Sequence, residues 1–175
     1  LQLLANIDTY VCITGADMSF SINGNPKANW QTHKVNSGDL LEFGYAKSGI
    51  KAYFAVAGGF QVSEQFGSSA TVVREKIGGL SGEGLKANDK LPAFSSVKTF
   101  SHQKQLMLAA QPNYTNDVLL RVVLGYQQAS FSRVQKVKFF NGKYHVSKQW
   151  DRMGYRFEGD AISCSQTAML SEGIA

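Results

Sequence analysis

Apolar and polar positions change over in short bursts through the first third of the chain, which is the pattern of strands rather than helices. Tyr10 to Thr14 (YVCIT) is β-branched and aromatic, and Gly15-Ala16-Asp17 then reads as a turn. Met18, Phe20 and Ile22 alternate with Ser19 and Ser21, the period of a half-buried strand. Asn23-Gly24 is a strong hairpin signal because both residues tolerate positive φ, and Asn25-Pro26 prolongs that turn. Trp30 and Val35 mark the returning segment. Ser37-Gly38-Asp39 turns into Leu40 to Phe43, and Ser48-Gly49 turns into an apolar run, Ile50 to Ala57, that reads as buried. Short strands at roughly 8–12-residue spacing, separated by Gly, Asn and Asp, predict an all-β barrel or sandwich.

Further along the pattern loosens. Gly58-Gly59, then Gly67-Ser68-Ser69-Ala70-Thr71, then Gly78, Gly79, Gly82 and Gly84 break the middle of the chain into permissive turns. VNSGDLLEF (Val35 to Phe43) is echoed by LKANDKLPAF (Leu85 to Phe94), and in both an Asp can bond the N–H groups of its own turn. Residues 95–116 are irregular, and a boundary is expected near Tyr114 to Asp117, giving units 1–115 and 116–175. Val118 to Leu124 (VLLRVVL) reads as a buried strand that restarts the architecture. From Phe131 onward two readings compete. A hairpin around Asn141-Gly142 would set Phe139 beside Tyr144 and Val137 beside Val146. A helix would be capped by Ser132, carry Val134, Val137 and Phe140 on one face, and close on Gly142 in the left-handed conformation. The helix is the preferred reading, with a strand from Lys143 to Ser147 after it.

Composition narrows the class. The chain has 175 residues, 43% of them hydrophobic and 18% charged, which suits a soluble globular protein. No run approaches the roughly 18 apolar residues of a membrane span. The start, LQLLANIDTY, has neither a signal-peptide pattern nor an initiator Met, so a slice of a longer protein is expected. The formal charge of +5 is scattered rather than blocked. Lys136 to Arg156 interleaves cations with aromatics, as barrels routinely do, and no nucleic-acid partner is expected. Cys12 and Cys164 show no CxxC spacing, and two thiols in a reducing cytoplasm are favoured over one long-range disulfide. His33, His102 and His145 lack metal-ligand spacing. There is no phosphate loop of the G-x-x-x-x-G-K-[ST] kind, and the glycines at 78 to 84 lack the strand-then-helix context of a dinucleotide site.

Two stretches carry candidate chemistry. Gly67, Ser68, Ser69 and Thr71 offer hydroxyls and N–H groups to an anion, or form an ordinary loop. If residues 152–158 are extended, Arg152, Gly154, Arg156 and Glu158 share one face. That face can hold a carboxylate or carbamate bidentately, or be an Arg–Asp/Glu network that fastens the fold.

Four pieces in a fixed order carry a family resemblance: AYFAVAGGF (Ala52 to Phe60), GSSATVVREKIGGLSGEGLKANDKLP (Gly67 to Pro92), RVVLGYQ (Arg121 to Gln127), and WDRMGYRFEG (Trp150 to Gly159) with SEGIA (Ser171 to Ala175). The chain resembles the biotin-dependent carboxyltransferase or urea amidolyase-related family. That family includes proteins known as allophanate hydrolase subunit 2, the 5-oxoprolinase subunit designated C, and the antagonist of an inhibitor of a sporulation kinase. The resemblance implies a mainly β fold of tandem cyclophilin-like β-barrels with one or two short helices, both barrels incomplete over this span. It implies a cytoplasmic hetero-oligomer with a sister subunit, acting on a small amide or lactam. ATP or biotin would be handled through partner subunits, and this chain alone would bind no cofactor.

The activity it implies is that of a 5-oxoprolinase subunit, opening 5-oxoproline to glutamate at the expense of ATP. Alternatives are a non-catalytic protein that binds and antagonises a sister kinase-inhibitor subunit, or an allophanate hydrolase or urea carboxylase component. The binding residues it implies, for substrate or partner, are Gly58, Gly59, Gly67, Ser68, Thr71, Gly78, Gly79, Arg152, Gly154, Tyr155, Arg156, Glu158, Ser171 and Glu172. The chain departs from the family at Gly67 to Thr71, where Gly-Ser-Arg-Ser-Thr is usual, and the Arg lost there is a five-donor fork suited to carboxylates. It departs again at Glu83-Gly84, near which Gly-Arg is usual, and at Gly125-Tyr126-Gln127 in place of Gly-Pro-Gln.

Overall fold

The computed structural model describes residues 1–94, 103–114, 117–150 and 154–168. The chain divides into two compact units, Leu1–Val118 and Leu119–Ala175. Strands dominate, as the turn spacing predicts.

The first unit is organised around β2 (Thr9–Asp17), whose inward side chains Val11 and Ile13 are sealed from solvent. β2 lies between β5 (Thr32–Val35) and β7 (Ser48–Val56), antiparallel to both. A second sheet orders β1 (Gln2–Leu4), β6 (Leu40–Glu42), β3 (Ser21–Ile22) and β4 (Asn25–Pro26) in the sequence β1-β6-β3-β4. Ile22 and Leu41 of that sheet, with Phe20, join Val11, Ile13 and Val35 in one core. Among the described residues no strand joins the two sheets into a closed ring.

Aromatic rings continue the core outward. Phe20 meets Phe43 at 5.1 Å, Phe43 meets Phe54 edge-on at 5.4 Å, and Phe54 meets Phe60 at 5.9 Å. Such offset and edge contacts suit the ring quadrupoles. His33 is buried beside Phe20, and its Nε2 lies 2.7 Å from the Ala28 carbonyl, so it is a satisfied core residue.

Several local expectations are corrected. Gly15-Ala16-Asp17 does not turn the chain, because β2 runs through it on a bulge. The register with β7 shifts between Gly15 and Asp17, and Gly15 has φ 81° with the Lys51 carbonyl packed against its bare face. Asn25-Pro26 is strand rather than turn, pairing Ser21 with Pro26 across the two-residue Asn23-Gly24 loop. The alternating Met18 to Ile22 is strand only at its end, since Ser19 has φ 49°. The apolar run from Ile50 lies in β7, which ends at Val56 and is an edge strand among the described residues; its Ala52, Phe54 and Val56 pack on the core while Ile50 and Tyr53 are exposed.

The echoed turns are alike in detail. Asp39 Oδ2 accepts from Asn36 N at 2.8 Å, and Asp89 Oδ2 accepts from Lys86 N at 2.7 Å. The residue before each Asp has positive φ, 95° at Gly38 and 70° at Asn88. Among the described residues only the first of the two leads into a strand.

In the second unit the helix reading holds. α1 (Arg133–Asn141) is capped by Ser132 Oγ, which accepts from Gln135 N at 3.3 Å. Gly142 is not left-handed, with φ −73°, and its N–H donates to Lys138 O. Phe139 and Tyr144 still meet, rings 5.5 Å apart, across the helix end. β8 (Tyr144–Trp150) pairs antiparallel with β9 (Tyr155–Gly159). Val118 to Leu124 is the largest departure. It is neither buried nor a strand, and Leu119 and Val123 are exposed. Its apolar character needs a facing strand to become sheet, and among the described residues none pairs with it. Val134, Val137 and Phe140 are exposed for the same lack of a covering layer.

The core and the turns each yield a measurable expectation. Replacing sealed Phe20 by Ala lowers unfolding free energy by about 3–5 kcal/mol, whereas Tyr45→Ala, at an exposed position, stays within about 0.5 kcal/mol. Denaturant unfolding of the two variants measures this. The Asn36 backbone N–H and the Asn23 side-chain amide hold the Asp39 carboxyl below its ordinary range. Its stabilising effect is therefore complete above the ordinary value near 3.8 and fades as pH falls through the lower folded-state value. Asp39→Asn should flatten the acid limb of melting temperature against pH and leave the alkaline limb unchanged.

Candidate functional site

The glycine turns of the first unit close on themselves. β7 runs out into Gly58-Gly59, with φ 87° and 86°. Gly59 O accepts from Phe94 N at 3.0 Å, and Gln61 N donates to Pro92 O at 2.7 Å, so segment 92–94 is strapped against the turn. A Cβ at Gly58 would stand 2.8 Å from the Phe94 carbonyl oxygen. The bare face of Gly58 is filled by this chain's own backbone.

The next turn is small and exposed. Gln65 and Ser68 exchange backbone hydrogen bonds of 2.9 and 3.1 Å around Phe66-Gly67, and Ser68 Oγ accepts from Ala70 N at 3.1 Å. Val72 and Ile77 form a bridge, which brings Gly78 against the Ala70 carbonyl and Gly79 against the Thr71 hydroxyl. Gly79 N donates to Ser69 O at 3.2 Å, and Gly82 N to Gly78 O at 2.8 Å. Gly67, Ser68, Thr71, Gly78 and Gly79 thus come together in one loop cluster, with Gly67 and Ser68 open to solvent and Gly78 buried. The N–H groups of Ser68, Ala70, Gly79 and Gly82 are spent inside it, which limits what the cluster can offer an anion.

In the second unit, β9 is extended, so Arg156 and Glu158 project to one side and Tyr155 and Phe157 to the other. Arg156 NH1 donates to Gln149 Oε1 at 2.7 Å. Glu158 sits opposite His145 in the ladder. The two ion pairs among the described residues are Arg74–Glu75 and Lys86–Glu83, both in the first unit, and among those residues the partner of Arg156 is a neutral amide. Of the five guanidinium N–H donors, this bond uses one. Trp150 and Tyr155 stack at 5.7 Å with an interplanar angle of 6° beside it, and Gly154 leads into the strand. Arg152, Ser171 and Glu172 lie outside the described residues.

The turn-and-strand reading passed over a groove of about 500 Å³ lined by Val122, Leu124, Phe131, Phe139, Phe140 and Ile162, with Gln128 and Lys136 at its polar side. Lys136 Nζ is held there by Gln128 Oε1 at 2.6 Å. The apolar run at 118–124 is the sequence signal for this groove, though its composition alone equally suits a strand. Cys12 and Cys164 form no disulfide and are half-buried, and burial pushes the Cys12 thiol up. No cluster of three or more His, Cys, Asp or Glu side chains suited to a metal occurs among the described residues, and no helix there is long and apolar enough to cross a membrane.

A mainly β chain with glycine-rich loops and an arginine-bearing terminal hairpin is the class this geometry defines. The model of the carboxyltransferase domain, subdomain A and B, matches residues 1–175, and the chain belongs to that family. It is 29% identical over 168 residues to the 5-oxoprolinase subunit designated C of Haemophilus influenzae, covering 95% of this chain and 52% of that protein. The Escherichia coli K12 protein of the same name is 28% identical over 171 residues, covering 95% and 53%. Urea amidolyase of Lachancea kluyveri is 30% identical over 169 residues, covering 90% of this chain and 9% of that one. The chain therefore spans about half the length of the two bacterial relatives. Among solved structures, TTHA0988 superposes with a TM-score of 0.78 at 23% identity, covering 93% of this chain and 57% of the other. The K. lactis urea amidolyase gives 0.72 at 24%, covering 94% and 11%. These superpositions bear on the fold alone.

The close packing separates the glycines. Gly79→Ala strains a residue at φ 59° and drives a methyl into Thr71, and should cost about 1–3 kcal/mol. Gly67→Ala, with nothing within 4 Å, meets only the backbone penalty of about 1 kcal/mol. Thermal melts and limited proteolysis of the loop should rank the two in that order.

Proposed function

We propose that this chain is the carboxyltransferase-fold part of a multi-component amidolyase or carboxylase system, and that the system is of the 5-oxoprolinase type. The observation that carries this reading is the family match along the whole chain, joined to two bacterial relatives named as 5-oxoprolinase subunits that each align over 95% of it. In this reading partner subunits assemble with the chain in the cytoplasm and supply ATP handling, and the substrate is 5-oxoproline, opened to glutamate.

The lactam is an unactivated amide, so its opening needs activation of the carbonyl and firm placement of the ring. Arg156 is the side chain suited to placement. It lies on a strand, is held by Gln149, and presents a planar fork that matches a carboxylate. Arg152, two residues before Gly154 in the same motif, is its natural companion. The glycine cluster of the first unit contributes less to polarising a carbonyl, because so many of its N–H groups are already bonded within the loop.

A second reading has its own observation. Ser69-Ala70 stands where the family usually has Arg-Ser, and the loop around it is self-satisfied. A non-catalytic protein that binds and antagonises a sister kinase-inhibitor subunit would keep the loop and lose the Arg. The likeness to urea amidolyase supports a third assignment, an allophanate hydrolase or urea carboxylase component working with a biotin carrier.

Co-expression of the protein with the products of its neighbouring reading frames, followed by an assay of ATP-dependent glutamate release from 5-oxoproline, tests the first reading. Arg156→Ala should weaken turnover at low substrate by about ten- to a hundredfold, the loss of one or two charge-assisted hydrogen bonds. Full activity in the Arg152→Ala/Arg156→Ala double variant overturns the placement role. A stable complex with no turnover of 5-oxoproline, urea or allophanate favours the antagonist.

A further inference from the structure

The chain holds two Asn-Gly steps, Asn23-Gly24 and Asn141-Gly142, and the structure treats them differently. Asn-Gly is the step most open to spontaneous deamidation, because glycine puts no side chain in the way of its own amide nitrogen. At Asn141 the nucleophile is occupied. Gly142 N donates to Lys138 O at 2.8 Å, and Asn141 Nδ2 donates to Val137 O at 2.9 Å. At Asn23 the Gly24 N–H donates to no acceptor among the described residues, Gly24 has open space around it, and both residues are exposed.

What restrains Asn23 is its own side chain. Nδ2 donates to Asp39 Oδ1 at 2.7 Å, and Oδ1 accepts from Leu40 N at 2.8 Å. Asn23 N in turn donates to Leu40 O at 2.8 Å, so the residue stands in the ladder partly by means of its side chain. Asp39 is itself fixed by Asn36 N on its other oxygen. The hairpin tip at 23–24 and the turn at 36–39 are one clasp.

We propose that Asn23 is a deamidation site of this protein, and that Asp39 governs its rate by holding Asn23 Nδ2 away from the reactive geometry. The Gly24 nitrogen forms a bond to the Asn23 side-chain carbonyl carbon. The bond from that carbon to Nδ2 breaks, and Nδ2 leaves as ammonia with the proton that Gly24 gives up. Water then opens the five-membered imide at either carbonyl, leaving aspartate or isoaspartate. Either product replaces the donor facing Asp39 with a carboxylate, and the two like charges open the clasp.

Peptide mapping by mass spectrometry of the full chain, incubated at neutral to mildly alkaline pH, tests this. Asn141 serves as the internal reference. In the native protein Asn23 should react more slowly than in the denatured chain, yet faster than Asn141. Asp39→Ala should raise the Asn23 rate by about tenfold, the effect of one charge-assisted hydrogen bond, and leave Asn141 unchanged. Asp39→Glu, which keeps the acceptor, should recover part of the protection. A folded Asp39→Ala protein with an unaltered Asn23 rate overturns the proposal, as does an Asn141 that reacts first. If Asp39→Ala unfolds, both steps accelerate together, and the Asn23→Asp variant decides. It should melt below the unsubstituted chain by a margin that Asp39→Asn largely removes, and no such recovery overturns the proposal.

Discussion

The antiparallel ladder between β2 and its two neighbours is the constraint on which the first unit rests. β2 alone contacts both β5 and β7, and its inward residues, Val11 and Ile13, form the floor of the core. The bulge at Gly15 keeps that ladder usable. It lets Ala16 turn inward to complete burial while Asp17 resumes pairing with Ser48. A side chain at 15 would meet the Lys51 carbonyl in a backbone conformation that only glycine adopts comfortably. Everything strapped to β7, including the Gly58-Gly59 turn and segment 92–94 beyond it, inherits its position from this one pairing.

Much of this was legible because it is local. The Asn23-Gly24 hairpin, the Asp39 turn and its echo at Asp89, and the Ser132 cap follow from the few residues that make them, and each is written in side-chain chemistry. The readings that failed depended on distant partners. Val118 to Leu124 has the composition of a buried strand, yet burial is a property of what covers a segment. Gly15 looks like a turn residue until a strand arriving some forty positions later makes it a bulge, the separation on which loop-closure arguments turn.

The candidate site divides along the same line. That Gly67 to Gly82 would gather into one cluster could be anticipated from glycine spacing. That the cluster would consume its own N–H groups could not, because the consumers are carbonyls such as Ser69 and Gly78, which leave no mark in a sequence. On β9 the alternation of Arg156 and Glu158 is a simple strand property. The choice of Gln149 as the partner of Arg156 depends on the irregular register between Val146 and Trp150, which shifts the two strands relative to one another. A family motif names such residues, whereas only the register says what holds them.

The position of β7 also has a consequence in time. Within its sheet β2 is made first and β7 last, so the edge of β2 that β7 will occupy stays open while β3, β4, β5 and β6 are made. From the completion of β5 until β7 is made, its one partner in the sheet is β5, a four-residue strand. A nascent chain in this state carries an unpaired apolar edge, the species most prone to pair wrongly with another copy. Non-local closure of this kind also slows folding. β5 pairs only with Thr9–Cys12, so Gly15 lies in the stretch of β2 that stays unpaired longest, and a glycine there weakens that stretch as a strand until β7 arrives.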